Sequence, residues 1–271
     1  MNTYRFGADP EMFAYKDGKP VSAYGLIAGD KYNPFPVDGG AVQVDGMALE
    51  FNIDPVLTED QFVSNLNKVI TTLRGMVPGY EVVATPVAEF GHEYIAAQPH
   101  EATDLGCNPD FDAWKEGLVN ERPNVHLPFR TGAGHIHIGW VDSNDACIYD
   151  PAHVDECCAR IKQLDYYLGL PSLFFDKGVK RREMYGKPGA FRPKTYGAEY
   201  RVLSNAWLGT DDLKRWAFRN AKAAMDAVDS GHLAFSRVSG KIMDNMMDPN
   251  PDLRRVRQVL DKLNIELPKV A

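Results

Sequence analysis

The sequence predicts an α+β fold built on a mostly antiparallel sheet, with helices packed on one face and polar chemistry on the other. Three observations predict it. First, short runs of β-formers carry Asp, Glu, His or Arg at close spacing: GADPEMF (Gly7–Phe13), VDGMALEFN (Val44–Asn52), GHIHIG (Gly134–Gly139) and TYGAEYRVLSN (Thr195–Asn205). Side chains two apart on a strand share a face. Second, amphipathic helical stripes lie between these runs. Third, strand and helix patterns do not alternate strictly, which disfavours a doubly wound parallel sheet.

The first 54 residues read as β-rich, with strands at Tyr4–Phe6, Met12–Tyr15 and Ala48–Ile53 and a turn at Asp17-Gly18. Pro10 lacks a backbone donor and suits a strand edge or break. A helix is predicted over Glu59–Arg74. Thr58 caps it, Gln61 completes a capping box, and Leu57 and Phe62 form a hydrophobic staple. Its stripe is Phe62, Val63, Leu66, Val69, Ile70 and Leu73, and Gly75 and Pro78 end it. Glu81–Ala84 reads as a strand, and residues 91–132 as a long irregular connection. After the histidine strand, Asp150 caps a helix with Pro151 at its first position, and Gly169 stops it. Residues 176–197 read as a basic, Gly-rich loop leading into a strand over Tyr196–Leu203. Thr210 caps a helix carrying Leu213, Trp216, Ala217 and Ala221, and Asn250-Pro251 opens a last helix with Leu253, Val256, Leu260 and Leu263 on one side.

With 44% apolar and 25% charged residues among 271, the chain has the composition of a globular protein with a normal core. A net charge of −7 disfavours nucleic acid and anionic membranes as partners. No apolar run approaches the roughly 20 residues of a membrane helix, and MNTYRFGADP has no signal-peptide core. A cytoplasmic location is expected. Cys107, Cys147, Cys157 and Cys158 lack zinc or redox spacing and read as small buried apolar residues in a reducing compartment.

Several residues invite chemistry. Asp9 and Glu11 are two apart, and like charges on one strand face call for a cation. Mg²⁺ prefers such oxygens. Glu50, between Leu49 and Phe51, needs a partner inside an apolar strand. His135 and His137 alternate with Ile136 and Ile138 and share a face. Imidazole ligates transition metals more readily than Mg²⁺, so contact with a phosphate or an amide stays open for one of the pair. Glu199 and Arg201 share the face of the last strand, just after Arg181, Arg182, Lys187, Arg192 and Lys194. Arginine suits bidentate phosphate recognition. A metal surface beside a cationic clamp is the assembly that catalyses phosphoryl transfer.

GADPEMF, VDGMALEFN, RTGAGHIHIG, RREMYGKPGAFR and YGAEYRVLSNAW, in this order from about Gly7 to Trp207, resemble the phage-type carboxylate–amine ligase (amidoligase) family. That family is related to glutamine synthetase and γ-glutamylcysteine ligase. The resemblance implies one glutamine-synthetase-like catalytic domain over 1–271, with the C-terminal helices from about 210 packed on it. It implies ATP-dependent activation of a carboxylate to an acyl phosphate, attacked by an amine to form an amide. Asp9, Glu11, Glu50, His137 and Glu199 are then the expected Mg²⁺ ligands, with His135 near the nucleotide. Arg181, Arg182, Arg192 and Arg201 are the expected ATP-phosphate clamp and catalytic cations. The partners implied are small-molecule or peptide carboxylates and amines, and for a phage-encoded protein the host cytoplasm is the expected place. No β-grasp domain is expected ahead of the motifs, so the large ring of glutamine synthetase is not implied and oligomerisation stays open. Two other readings remain: a non-catalytic, virion-associated or binding module that keeps the fold, and a metal-dependent hydrolase built on His135 and His137.

Overall fold

The computed structural model describes residues 3–103, 110–121, 127–141 and 144–269. Its strands are β1 (Arg5–Ala8), β2 (Glu11–Lys16), β3 (Lys19–Val21), β4 (Phe35–Val37), β5 (Gly40–Asp45), β6 (Ala48–Ile53), β7 (Glu81–Val83), β8 (Val87–Glu89), β9 (Phe111–Asp112), β10 (Leu118–Val119), β11 (Phe129–Thr131), β12 (Ile136–Gly139), β13 (Ala190–Lys194) and β14 (Gly197–Tyr200). Among the described residues they form one six-stranded sheet, ordered β1-β12-β14-β13-β9-β10, and a second ordered β3-β2-β6-β5-β4 with β7 also on β2. β11 and β8 make a separate pair. Every ladder is antiparallel, as the sequence predicts. Among the described residues there are two large sheets, however, where one was expected. β1 and β2 follow one another in the chain but belong to different sheets, and Asp9-Pro10 is the join.

Alternation gives each sheet an apolar back. Behind the first sheet, Phe6, Ile136, Ile138, Phe191, Ala198 and Tyr200 are buried in the core with the helices Pro151–Leu164 and Asp211–Asp229. Phe6 meets Phe218 edge-on with ring centroids 5.0 Å apart. Behind the second, Val42, Leu49 and Phe51 bury with the helix Glu59–Met76. That helix has the predicted cap, with Thr58 accepting from the Gln61 amide, and its six buried residues are the predicted stripe. Each such side chain contributes about 1.5–3 kcal/mol.

Several expectations need correcting. Gly75 lies inside the first helix, which ends at Met76. Gly169 does not stop the helix after Leu164; the chain continues through a π-helical turn (Asp165–Gly169) into Leu170–Ser172. A Cβ at Gly169 would lie 2.8 Å from both Tyr200 Oη and Met246 Cε, so these two side chains would have to shift to admit one. The basic loop contains the helix Val179–Met184 and strand β13, where buried Phe191 and Pro193 alternate with half-buried Arg192 and Lys194. The strand expected over Tyr196–Leu203 is only Gly197–Tyr200. β5 was not anticipated, although Val42 and Val44 alternate there with Gln43 and Asp45. The last helix starts at Leu253 under an Asp252 cap. The stretch 91–132 holds β9, β10 and β11 besides short helices. Cys157 and Cys158 are buried and burial pushes both thiols up, while Cys147 is exposed. Cys107 lies outside the described residues. Among the described residues, no helix is long and apolar enough to cross a membrane.

Candidate active site

The polar faces of the two sheets meet around Asp9. On the first sheet, antiparallel register sets His137 opposite Glu199 and Glu199 opposite Arg192, a cross-strand row on β12, β14 and β13. His135 precedes β12 by one residue and projects to the same side. Both imidazoles reach one oxygen of Asp9: His137 Nε2 at 3.0 Å and His135 Nδ1 at 3.3 Å. His135 Nδ1 is also 3.3 Å from Glu199 Oε1. Gly134 lets this loop approach, because a Cβ there would run into the Ser204 carbonyl.

Asp9, His137 and Glu199 each offer a ligand atom, and these atoms lie within 4.8 Å of one another. Asp9 Oδ1, His137 Nε2 and Glu199 Oε2 are buried without a hydrogen bond of good geometry. Two carboxylates and an imidazole gathered this closely are a donor set that fits a divalent cation, and the oxygen majority suits Mg²⁺ or Mn²⁺. The Tyr196 hydroxyl meets His137 Nδ1. This leaves Nε2 as the nitrogen turned toward the two carboxylates.

Charges within the cluster set the protonation states. Burial would raise Asp9, but His137 and His135 hold it well below the usual carboxylate range. Burial would likewise raise Glu199; Arg201, Lys194 and His135 overcome it and keep Glu199 ionised. Lys194 Nζ lies 2.7 Å from Glu199 Oε2, and Arg201 is hydrogen-bonded to Oε1. Burial and the Arg201 charge lower His135 to about 4, so it is neutral. Burial would lower His137 as well, but Asp9 and Glu199 raise it.

The second sheet contributes another row: Gln43, Glu50 and Glu11 stand side by side on β5, β6 and β2. Glu50 Oε2 accepts from Gln43 Nε2 at 2.7 Å, and Glu11 Oε2 from the Ala133 amide at 2.8 Å. Asp9 and Glu11 therefore do not share a strand face as the spacing suggested. Pro10 interrupts the strand between them, and the period of two does not survive the break. Two cavities result. One of about 640 Å³ is lined by Asp9, Glu50, His137, Tyr196, Arg5 and Lys31, among others. The other, of about 60 Å³, is lined on its polar side by Glu11, Asp45, Arg130, His135, Arg181 and Arg201. Burial and the charges of Asp9, Asp45 and Glu11 push Glu50 well up. Burial, with Asp45 next, raises Glu11 to about 7.

The four expected clamp arginines divide. Arg192 Nη1 lies 3.9 Å from Glu199 Oε1. Arg201 bonds Glu199 and approaches Asp110 at 3.5 Å. Arg181 is 1% exposed and donates to the Val202 and Arg201 carbonyls at 2.7 and 3.1 Å, bracing the end of β14 while lining the small cavity. Burial lowers it to about 10. Arg182 departs from the expectation. It donates to the Met246 carbonyl at 2.7 Å, faces Asp176 at 3.4 Å and lines neither cavity. It is one position from Arg181 on a helix, so it points about 100° away.

Sequence reasoning passed over Asp45, Gln43, Tyr196 and Arg130, and did not single out Lys194. Asp45 and Gln43 carried a readable signal, the alternation Val42-Gln43-Val44-Asp45. Tyr196 and Arg130 carried none, since a tyrosine in a turn and an arginine at a strand edge are ordinary.

Residues 125–237 match the family described as "Phage phiEco32-like COOH.NH2 ligase-type 2", the one the motifs resemble. The matched stretch contains His135, His137, Arg181, Arg182, Arg192, Glu199 and Arg201; Asp9, Glu11 and Glu50 precede it. No curated protein matches the chain. Among solved structures, the chain is similar to "Crystal structure of a bifunctional glutathione synthetase from Pasteurella multocida", at 10% identity and a TM-score of 0.39. That similarity covers 97% of this chain and 47% of the other, so the chain spans about half that protein's length.

Proposed function

Taking the carboxylate–amine ligase match as the premise, we propose that this chain is an ATP- and Mg²⁺-dependent ligase that forms an amide through an acyl phosphate. The finer fold reading, one glutamine-synthetase-like catalytic domain over 1–271, belongs to the same proposal. The observation that carries it is the convergence of Asp9, His137 and Glu199, from three distant segments, between two cavities.

Asp9, His137 and Glu199 would hold the metal, with Glu50 on the wall of the same large cavity. Mg²⁺ bound there would supply charge neutralisation at the transferred phosphoryl group. In the first half-reaction a carboxylate oxygen attacks the γ-phosphorus and ADP leaves. In the second the amine nitrogen attacks the acyl carbon, inorganic phosphate leaves, and the nitrogen gives up a proton. The protein's own contribution is position and charge. Arg192, Arg201 and Lys194 flank Glu199 and offset the negative charge gathering beside it. Neutral His135 donates or accepts without adding charge.

Incubating the protein with ATP, Mg²⁺ and paired carboxylates and amines should release ADP only when both substrates are present. Glu199→Gln should abolish that release. Full turnover by Glu199→Gln would remove the metal assignment and the mechanism with it.

A further inference from the structure

Behind the site, one buried carboxyl gathers donors from three neighbouring strands. Asp165 is fully buried in the π-helical turn that follows the helix Pro151–Leu164. Its Oδ2 accepts from Trp114 Nε1 at 2.6 Å, and its Oδ1 from the Tyr200 hydroxyl at 2.9 Å. The Gly189 amide is a third donor. Trp114 lies in the 3₁₀ turn directly after β9, Gly189 directly before β13, and Tyr200 at the end of β14. These strands are neighbours in the first sheet, in the order β14-β13-β9.

The same strands and their ends carry the charges of the site. Tyr200 stands between Glu199 and Arg201 in sequence; across the ladder it pairs with Phe191, as Glu199 pairs with Arg192. Arg192 and Lys194 of β13 lie 3.9 and 2.7 Å from the Glu199 carboxylate. Asp110, one residue before β9, lies 3.5 Å from Arg201 Nε. Side chains alternate across a strand, so whatever fixes Tyr200 from behind also fixes how the backbone aims Glu199 to the front.

Packing alone gives no reason for a carboxyl here. Burying a polar group costs stability unless it is paired, and an apolar side chain of similar size would fill the space without that cost. A fully paired buried network does something an apolar filler does not: it fixes one arrangement of the segments it joins. A π-helical turn is a frequent feature of functional sites.

We propose that Asp165 is a positioning residue for the candidate active site. Through Trp114, Gly189 and Tyr200 it holds β9, β13 and β14 in the arrangement that sets Arg192, Lys194 and Arg201 around Glu199. It lines neither of the two cavities. The placement stands apart from the chemistry, and only its effect on turnover rests on the ligase reading.

The test compares Asp165→Leu, which keeps the bulk and loses every acceptor, with Asp165→Asn. The asparagine amide still offers an oxygen to Trp114 and a donor to the Tyr200 oxygen. Ring ¹⁵N signals of His135 and His137 report the site without substrate, since His135 Nδ1 is 3.3 Å from Glu199 Oε1 and His137 pairs with Glu199 across the ladder. In Asp165→Leu that remains folded by amide NMR, those signals should shift and kcat for ADP release should fall roughly tenfold or more. Asp165→Asn should restore both. A merely structural role would lower the unfolding midpoint of Asp165→Leu but leave the histidine signals and kcat of the folded protein as in wild type; that result overturns the proposal. Damage in Asp165→Asn equal to that in Asp165→Leu overturns it too, because hydrogen bonding would not be the cause. If Asp165→Leu fails to fold, Tyr200→Phe removes one donor and keeps the ring, and unchanged histidine signals there also overturn it. If wild type never releases ADP, the ligase reading falls and the histidine signals still decide for Asp165. If wild type releases ADP and no variant moves those signals, the positioning role falls and the ligase reading stands.

Discussion

His137 Nε2 lies 3.0 Å from Asp9 Oδ1, which brings β12 against the break between β1 and β2. The two residues are distant in sequence, and each belongs to a segment whose other side chains face a core. Their meeting converts two ordinary strand ends into one polar centre.

That contact depends on which imidazole nitrogen is free, and Tyr196 decides it. Where Nδ1–H donates to the Tyr196 hydroxyl oxygen, the neutral ring keeps its Nε2 lone pair for a cation. Tyr196→Phe should weaken Mg²⁺ or Mn²⁺ binding about tenfold or more. Isothermal titration measures the affinity, and ¹⁵N shifts of labelled histidine report the tautomer. An unchanged tautomer and affinity in Tyr196→Phe would rule out this role.

Glu199 is 1% exposed and anchors Lys194 and Arg201. Glu199→Gln removes the carboxylate that Lys194 pairs with and the nearer of the two that face Arg201, Asp110 being the other. Besides losing turnover, it should lose about 3 kcal/mol of stability, the scale for breaking a buried pair. Urea unfolding beside wild type measures it; identical midpoints would show the pairing to be energetically idle.

Arg182 and Arg192 should separate by phenotype. Arg182→Met breaks the contacts to Asp176 and the Met246 carbonyl, so it should cost about 3 kcal/mol while sparing kcat in protein that remains folded. Arg192→Met, on the half-buried site face, should lower kcat at least tenfold with less than about 1 kcal/mol of stability lost. A reversed pattern would mean that Arg182, and not Arg192, reaches substrate.

Asp165 makes stability depend on pH. It is buried in the π-helical turn, and although Trp114 and Tyr200 donate to it at 2.6 and 2.9 Å, burial pushes it up to about 7. The folded state thus keeps a proton that the unfolded chain releases near the usual 3.8. Stability is greatest below that value, falls as pH rises through the window between 3.8 and about 7, and levels off above it. The single-site loss is on the order of 4 kcal/mol. Asp165→Asn should flatten this part of the profile. Unfolding midpoints at pH 4.5, 6 and 8 would show it, and parallel profiles would exclude Asp165 as the source.

Much of the secondary structure was legible because its signals are local. The Glu59–Met76 helix announces itself through Thr58, Gln61 and a six-residue stripe, all within one segment. The histidine pair was legible for the same reason, since His-Ile-His-Ile forces both rings to one side of an extended chain. Tyr196 and Arg130 were illegible because their importance lies in what they touch across the fold. Arg181 and Arg182 look equivalent in the chain, and only a helix seated against both β14 and Met246 tells them apart.

The amino-acid order alone determined antiparallel strands with polar fronts, the amphipathic helices behind them and the side of the strand on which each histidine lies, because side-chain periodicity is a property of neighbouring residues. Tertiary structure decided that Asp9 and Glu11 part at Pro10, that two sheets rather than one enclose the centre, and that a large and a small cavity flank it. Those outcomes depend on distances between residues far apart along the chain, which packing sets and local periodicity does not encode.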